Sequence, residues 1–324
     1  MVVWLMSFLL SADSSYTHSG NFASSREGHT AMEKRTVKFF SEGSRIEGDL
    51  FLPDGLKPDE QRPGIVLCQG FTGIRSLILP DYASVFVEAG FVVLTFDYRG
   101  WAHSEGPKWR LVPLEQVDDI RNAITFLQAQ PEVDPERLGL WGTSYGGGHA
   151  PYVAGVDTRV KAVVGQVGYE AAERLFLSCL TYGERMDLMR KLAEDRRRRV
   201  LEGAGERVAP LEMLRDPQTR AFFDQAFKNA PPRRMADLSW DTIEKAFDYR
   251  PIDVVDRISP RPLLLIGARD DAPCPIEGFE KLYERAREPK KLVVLPITHY
   301  EIYSGKWFEE SSRLACEWFG RYLK

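Results

Sequence analysis

The chain has 324 residues, 44% of them hydrophobic and 28% charged, with a formal net charge of -4. That length buries a large core and suits one big α/β domain with an insertion, and the composition excludes fibrous and disordered chains. The slight acidity gives no overall attraction to nucleic acid or to an anionic membrane, so a small neutral or polar molecule is the expected partner.

In chain order, Met1 to Leu10 is apolar but has no Lys or Arg before it, and it is too short to span a bilayer. Ser11 to Thr30 is rich in Ser, Gly and His without an apolar period, so residues 1–31 read as a poorly ordered extension of a protein whose patterned part opens near Met32. A cytoplasmic protein is the favoured reading. Export, with residues 1–12 as a cleaved signal, is the alternative. Arg35 to Phe40 and Ser44 to Leu52 predict a hairpin, and Gly64 to Gln69 a strand buried on both faces, ending in the turn Gly70-Phe71-Thr72-Gly73. A helix over Leu79 to Ala89 and a strand over Phe91 to Phe96 complete a βαβ unit. A second helix spans Pro113 to Ala129, with Val117, Ile120, Ile124 and Leu127 on one face.

Leu138 to Gly142 is an apolar run that drives into Gly142-Thr143-Ser144-Tyr145-Gly146, read as a strand, a tight turn with Ser144 at its tip, and a helix over Tyr145 to Ala154. The strand Val160 to Gln166 follows. From Gly168 to Ile258 no convincing strand is visible, only helical patterns over Ala171 to Tyr182, Glu184 to Glu202 and Pro217 to Lys228, so this stretch reads as a helical cap over the strand ends. Alternation resumes with the strand Pro262 to Gly267, a helix over Ile276 to Arg287, the strand Lys291 to Leu295 and a last helix over Lys306 to Tyr322. The domain reading is therefore an extension over 1–31, a core over 32–167, a cap over 168–258 and the rest of the core over 259–324. The repeated βα alternation calls for a mainly parallel central sheet with helices on both faces. Cys68, Cys179, Cys274 and Cys316 are far apart, with no C-x-x-C and no short Cys/His spacing, so neither a zinc site nor a disulfide framework is indicated.

A serine hydroxyl needs a histidine to take its proton, and the histidine needs a carboxylate to fix its tautomer and stabilise its cation. In parallel sheets such residues gather at the carboxyl ends of strands. Asp270 and Asp271 follow one late strand and His299 follows the next, giving with Ser144 the order Ser, Asp, His. Of the five histidines only His299 follows a late sheet strand: His18 and His29 precede the patterned chain, His103 reads as a surface residue and His149 as a packed one. Asp97 and Arg99 read as structural, and Arg196 to Arg199 as a solvated helix face balanced by Glu194, Asp195 and Glu202.

With these motifs the chain, from about Met32 to Lys324, resembles the α/β-hydrolases of the esterase and dienelactone-hydrolase-like kind. The resemblance implies Ser144 as nucleophile, His299 as base and Asp271 as acid, because Asp271-Ala272-Pro273-Cys274-Pro275 fits the D-x-x-x-P pattern; Asp270 stays in reserve. It also implies an oxyanion hole from the backbone N–H groups of Phe71 and Tyr145, with Gln69 standing where many relatives have a histidine before the glycine. The activity it implies is hydrolysis of a carboxylic ester or related small acyl substrate through an acyl-enzyme, with no metal or organic cofactor. The cap residues Phe176, Tyr182, Met186, Phe222, Phe223 and Trp240 are the expected pocket lining. An amidase, a peptidase or a carbon–carbon bond hydrolase would use the same three residues. A non-catalytic binding protein on this fold is the alternative of another class. A small acyl molecule, with no nucleic acid and no stable membrane insertion, is the expected partner, and the sequence leaves the oligomeric state open, a dimer included.

Overall fold

The computed structural model describes residues 32–227 and 237–324; the reading of residues 1–31 as an extension lies outside them. Strands β1 (Met32–Ser41) and β2 (Ser44–Pro53) form the first hairpin. Its two turn residues, Glu42 and Gly43, have φ of 45° and 78°, the positive pair that matches the twist of a two-residue hairpin. The chain then alternates: β3 (Arg62–Cys68), α1 (Leu79–Glu88), β4 (Val92–Phe96), α2 (Pro113–Gln128), β5 (Val133–Thr143), α3 (Tyr145–Val156) and β6 (Val160–Gln166).

The stretch between β6 and the next sheet strand holds α4 (Glu173–Leu177), α5 (Tyr182–Glu202), β7 (Arg207–Val208), α6 (Pro210–Met213), α7 (Pro217–Phe227), β8 (Leu238–Ser239) and α8 (Asp241–Phe247). The core closes with β9 (Leu263–Ala268), α9 (Ile276–Arg285), β10 (Lys290–Leu295) and α10 (Gly305–Tyr322). The helix expected over Ala171 to Tyr182 is only α4. Thr181 interrupts it as the N-cap of α5, accepting from the Glu184 N–H while Glu184 accepts from the Thr181 N–H. The strand-free expectation for this stretch needs correcting too: β7 and β8 pair antiparallel, Arg207 with Ser239 and Val208 with Leu238. Two residues are too few to show a period of two in sequence.

The main sheet has the order β1-β2-β4-β3-β5-β6-β9-β10. β2 runs against both of its neighbours, and every pairing from β4 to β10 is parallel. Successive residues of a strand face opposite sides. Val66, Leu140 and Val163 therefore pack with α2, α3 and α9, while Ile65, Trp141 and Val164 pack with α1 and α10. The stretch between β6 and β9, the segment expected to form a cap and called so from here on, packs onto the first of these layers through Leu175, Leu188, Leu192, Met213, Leu214 and Trp240. The parallel arrangement aligns the carboxyl ends of β3, β5, β9 and β10 along one edge, and the loops leaving those ends carry Phe71, Ser144, Asp271 and His299.

Candidate active site

Ser144 sits between β5 and α3 with φ 56° and ψ -119°, a conformation costly for a residue with a Cβ. Its N–H donates to Gln166 O at 2.9 Å and its carbonyl accepts from the Gly147 N–H at 2.8 Å. The flanking glycines explain how the turn is tolerated. A Cβ on Gly142 would lie 2.0 Å from Gly146 O, and one on Gly146 would lie 2.2 Å from Cys68 O. Only glycine lets the three backbones pass this closely.

His299 Nε2 lies 3.0 Å from Ser144 Oγ, and His299 Nδ1 lies 2.8 Å from Asp271 Oδ2. The other oxygen of Asp271 accepts from the Cys274 N–H at 2.7 Å. His299 and Asp271 are buried, whereas Ser144 stays partly accessible. Burial pushes the Asp271 carboxyl above the ordinary carboxylate range, and the neighbouring His299 imidazole pulls it back down. A carboxylate at Nδ1 selects the tautomer with its proton there, leaving Nε2 to accept the serine proton. Asp270, the reserve, is exposed, and its main chain ties to the same neighbourhood, its N–H donating to Ile297 O at 3.0 Å. The arrangement can thus turn a hydroxyl into a nucleophile and return a proton to a leaving group.

Asp271, Cys274 and His299 also offer ligand atoms within 4.8 Å of one another. Both Asp271 oxygens are already taken by protein donors, and burial holds the Cys274 thiol far above its usual range. A protonated thiol is a poor metal ligand.

The loop after β3 brings Phe71 to the serine. A Cβ on Gly70 would lie 3.1 Å from Ser144 Cβ, and the Phe71 ring packs edge-on against Tyr145, 5.6 Å between centroids. Among the described residues no acceptor engages the backbone N–H of Phe71 or of Tyr145. Gln69, at the start of this loop, is buried, and neither of its amide atoms has a partner among the described residues. The far end of the loop is pinned by Arg75, whose N–H donates to Asp97 Oδ1 at 2.8 Å and whose guanidinium bonds Asp97, Asp49 and Glu47. Asp97 is therefore a structural partner, as is Arg99, which holds Asp119 and Ser41.

Behind the serine runs a buried chain that sequence reasoning missed. Thr143 Oγ1 lies 2.9 Å from the Tyr303 hydroxyl, and Gln166 Nε2 donates to both Thr143 Oγ1 and the Tyr82 hydroxyl. It links the serine turn to the 3-10 turn that follows His299. No spacing in the sequence announces such a chain, because its members come from four separate elements.

A pocket of about 130 Å³ opens over Ser144, and its walls are mostly apolar. Phe71, Ile74, Leu77 and Ile78 come from the core, and Leu175, Pro210, Leu211, Leu214, Phe222 and Phe223 from the cap. Of the six lining residues expected from sequence, Phe222 and Phe223 are in the wall. Phe176 is buried behind Phe71, and Trp240 is buried under Lys191. Tyr182 and Met186 are 80% and 45% exposed, because α5 turns Leu188 and Leu192 inward instead. The arginine run is as expected in part, with Arg196 and Arg197 exposed and Arg199 bonded to Asp195, but Arg196 and Arg199 also bond Glu244 on α8 and Arg198 bonds Glu206. His149 is packed and His103 exposed, as expected.

A parallel sheet with helices on both faces, carrying these residues on the loops at its strand ends, makes the protein an α/β-hydrolase. The chain belongs to the X-Pro dipeptidyl-peptidase (S15) family, whose sequence profile matches residues 10–301. It is 33% identical over 265 residues to an uncharacterized 31.7 kDa protein encoded in the traX-finO intergenic region of Escherichia coli, covering 81% of this chain and 92% of that one. It is also 27% identical over 295 residues to the thiohydrolase aneE of Aspergillus aculeatus, covering 84% and 88% of the two chains. Among solved structures, a hypothetical protein from Pseudomonas aeruginosa superposes with a TM-score of 0.77 at 25% identity, over 90% of this chain and 94% of that one. None of the helices in the described residues is long and apolar enough to cross a membrane.

Proposed function

We propose that this protein is a serine hydrolase that cleaves esters or thioesters of apolar acyl groups, with Ser144 as nucleophile, His299 as general base and Asp271 as the acid that orients it. The observation that carries the reading is the continuous hydrogen-bonded line Ser144 Oγ, His299 Nε2 and Nδ1, Asp271 Oδ2, with links of 3.0 and 2.8 Å. As Ser144 Oγ attacks the acyl carbon, its proton passes to Nε2 and the carbonyl π electrons move onto oxygen. The N–H groups of Phe71 and Tyr145 receive that oxyanion. Collapse re-forms the carbonyl and expels the alcohol or thiol with the proton held on Nε2, leaving an acyl-serine. Water, deprotonated by the same nitrogen, repeats the cycle and frees the acid.

The pocket supports the apolar acyl class, since none of the described residues lining it carries a carboxylate. For the same reason the family's peptidase label is the weaker reading for this chain. An exopeptidase that removes a dipeptide needs an anionic group to hold the substrate's terminal ammonium, and an unpaired buried cation is expensive. The kinship with a thiohydrolase supports thioesters beside oxygen esters.

The test is turnover of chromogenic oxygen esters and thioesters, with X-Pro anilides alongside, by wild type and Ser144→Ala. Esters or thioesters of apolar acids are expected to turn over and the anilides to lag far behind, with kcat/KM lost by about 10⁴-fold or more in Ser144→Ala. Equal rates in the two proteins, or failure of the wild type to react with a fluorophosphonate, would remove Ser144 from the mechanism.

A further inference from the structure

Helix α7 of the cap rests directly on the loops that carry Asp271 and His299, and one side chain makes most of the polar contact. Gln218 Nε2 donates to Asp270 O at 2.6 Å, and its Oε1 accepts from the Ala272 N–H at 3.1 Å and from the His299 N–H at 3.4 Å. Gln218 therefore brackets Asp271 on both sides and holds the main chain of the histidine that Asp271 faces. The next residue, Thr219, bonds the Tyr300 hydroxyl through Oγ1 at 2.7 Å, and the Phe222 ring lies flat on Tyr300, 4.1 Å between centroids and 8° between planes. Asp216 caps the same helix by accepting from the Thr219 N–H at 2.8 Å.

Without this contact, the main-chain ties between the two loops stop early. Arg269 N–H donates to Leu295 O and Asp270 N–H to Ile297 O, and these bonds extend the β9–β10 pairing to just before Asp271. Past that point, among the described residues, the two loops are joined by side chains: the His299–Asp271 bond itself and the bonds from Gln218 to the main chain on either side of it. Each link is worth only a modest amount by itself, but a catalytic pair tolerates little displacement.

We infer that Gln218 is a positioning residue: the docked cap, through its carboxamide, keeps Asp271 and His299 in register, so closure over substrate and alignment of the base are one event. The inference rests on the proposed roles of Asp271 and His299. It assigns the cap a part in kcat besides its part in binding.

The test compares Gln218→Met, which keeps length but bonds none of the three groups, with Gln218→Glu, which keeps an acceptor for two N–H groups, and with Phe222→Leu, which changes the wall beside them. Gln218→Met is expected to lower kcat by about 10- to 100-fold with KM within about threefold. Gln218→Glu should recover part of the rate, and Phe222→Leu should act on KM more than on kcat. A wild-type kcat in Gln218→Met, or a loss confined to KM, would overturn the inference. A readout independent of turnover is the far-downfield proton resonance of His299 Nδ1–H in the resting protein. It is expected to broaden or vanish in Gln218→Met, and its persistence overturns the positioning role even if the wild type proves to hydrolyse nothing. Failure of the wild type to label at Ser144 sinks the proposed function instead, so the two failures are told apart.

Discussion

The ends of β5, β9 and β10 present Ser144, Asp271 and His299 from backbone that neighbouring strands pin, whereas the cap lines the same pocket from short helices whose paired strands are two residues long. The core sets Ser144, His299 and Asp271 in line with links of 3.0 and 2.8 Å. The cap sets a wall, through Leu175, Leu214, Phe222 and Phe223, whose shape depends on side-chain packing. The difference separates two kinds of determination: hydrogen bonds at the strand ends, with Gln218 reaching in from α7, hold the polar groups in line, and packed side chains shape the space for the molecule that meets them.

The sharpest way to break that division lies at the acid. Asp271→Asn should cost about 10³- to 10⁴-fold in kcat/KM, because an amide no longer selects the productive tautomer or stabilises the imidazolium. Asp270→Asn should stay within about threefold, since its side chain is exposed and only its main chain is engaged. Steady-state kinetics on one ester measures both. Comparable losses in the two variants would mean that the 2.8 Å contact does not identify the acid.

A smaller effect is expected in the wall. Leu214→Ala removes an apolar branch from the cap side of the pocket and should weaken binding of the best-fitting acyl group by about 1 to 3 kcal/mol, read as a 10- to 200-fold rise in KM. Esters with a longer acyl chain should regain part of the loss by filling the space. A fall in kcat with KM unchanged would put Leu214 with the reacting groups and blur the boundary between core and cap.

The same division explains what could be read from sequence. The meeting of Ser144, His299 and Asp271 was legible because a parallel sheet has a simple rule, that functional side chains collect at carboxyl strand ends, and each of the three follows a recognisable apolar run. The hairpin, the alternating elements and the resting place of His149 followed from the same patterns. The cap was legible as helical but not in its contacts. Tyr182 and Met186 have the right chemistry for a pocket wall, yet the orientation of α5 is set by Leu188 and Leu192 and by the Thr181 cap, so both side chains face water. Gln218 left no trace in sequence because its partners are main-chain atoms of loops more than fifty residues away, which any residue type supplies. The Tyr303 to Thr143 contact was hidden for a similar reason, joining residues 160 apart.

The seam between the two regions gives the last and mildest perturbation. His149 lies on core helix α3, fully buried, with Nδ1 2.8 Å from the Tyr249 hydroxyl and Nε2 3.0 Å from Gln116 Oε1. Tyr249 belongs to the segment that leads the cap back to β9, so this imidazole is part of what fastens one region to the other. Burial pushes it down to about 3, against about 6.5 for an unfolded histidine. Between those values the unfolded chain binds a proton that the folded chain refuses. The stabilisation is therefore complete above pH 6.5 and is lost as the pH falls toward 3, by up to about 1.4 kcal/mol per pH unit. Denaturant titrations at pH 7, 6 and 5 should show wild type losing stability over this range faster than His149→Gln, which keeps polar groups at the seam without a titrating one. Parallel pH dependences in the two proteins would mean that the proton enters elsewhere. A steeper loss in wild type would place the destabilising proton on the buried imidazole that joins α3 to the segment leading into β9.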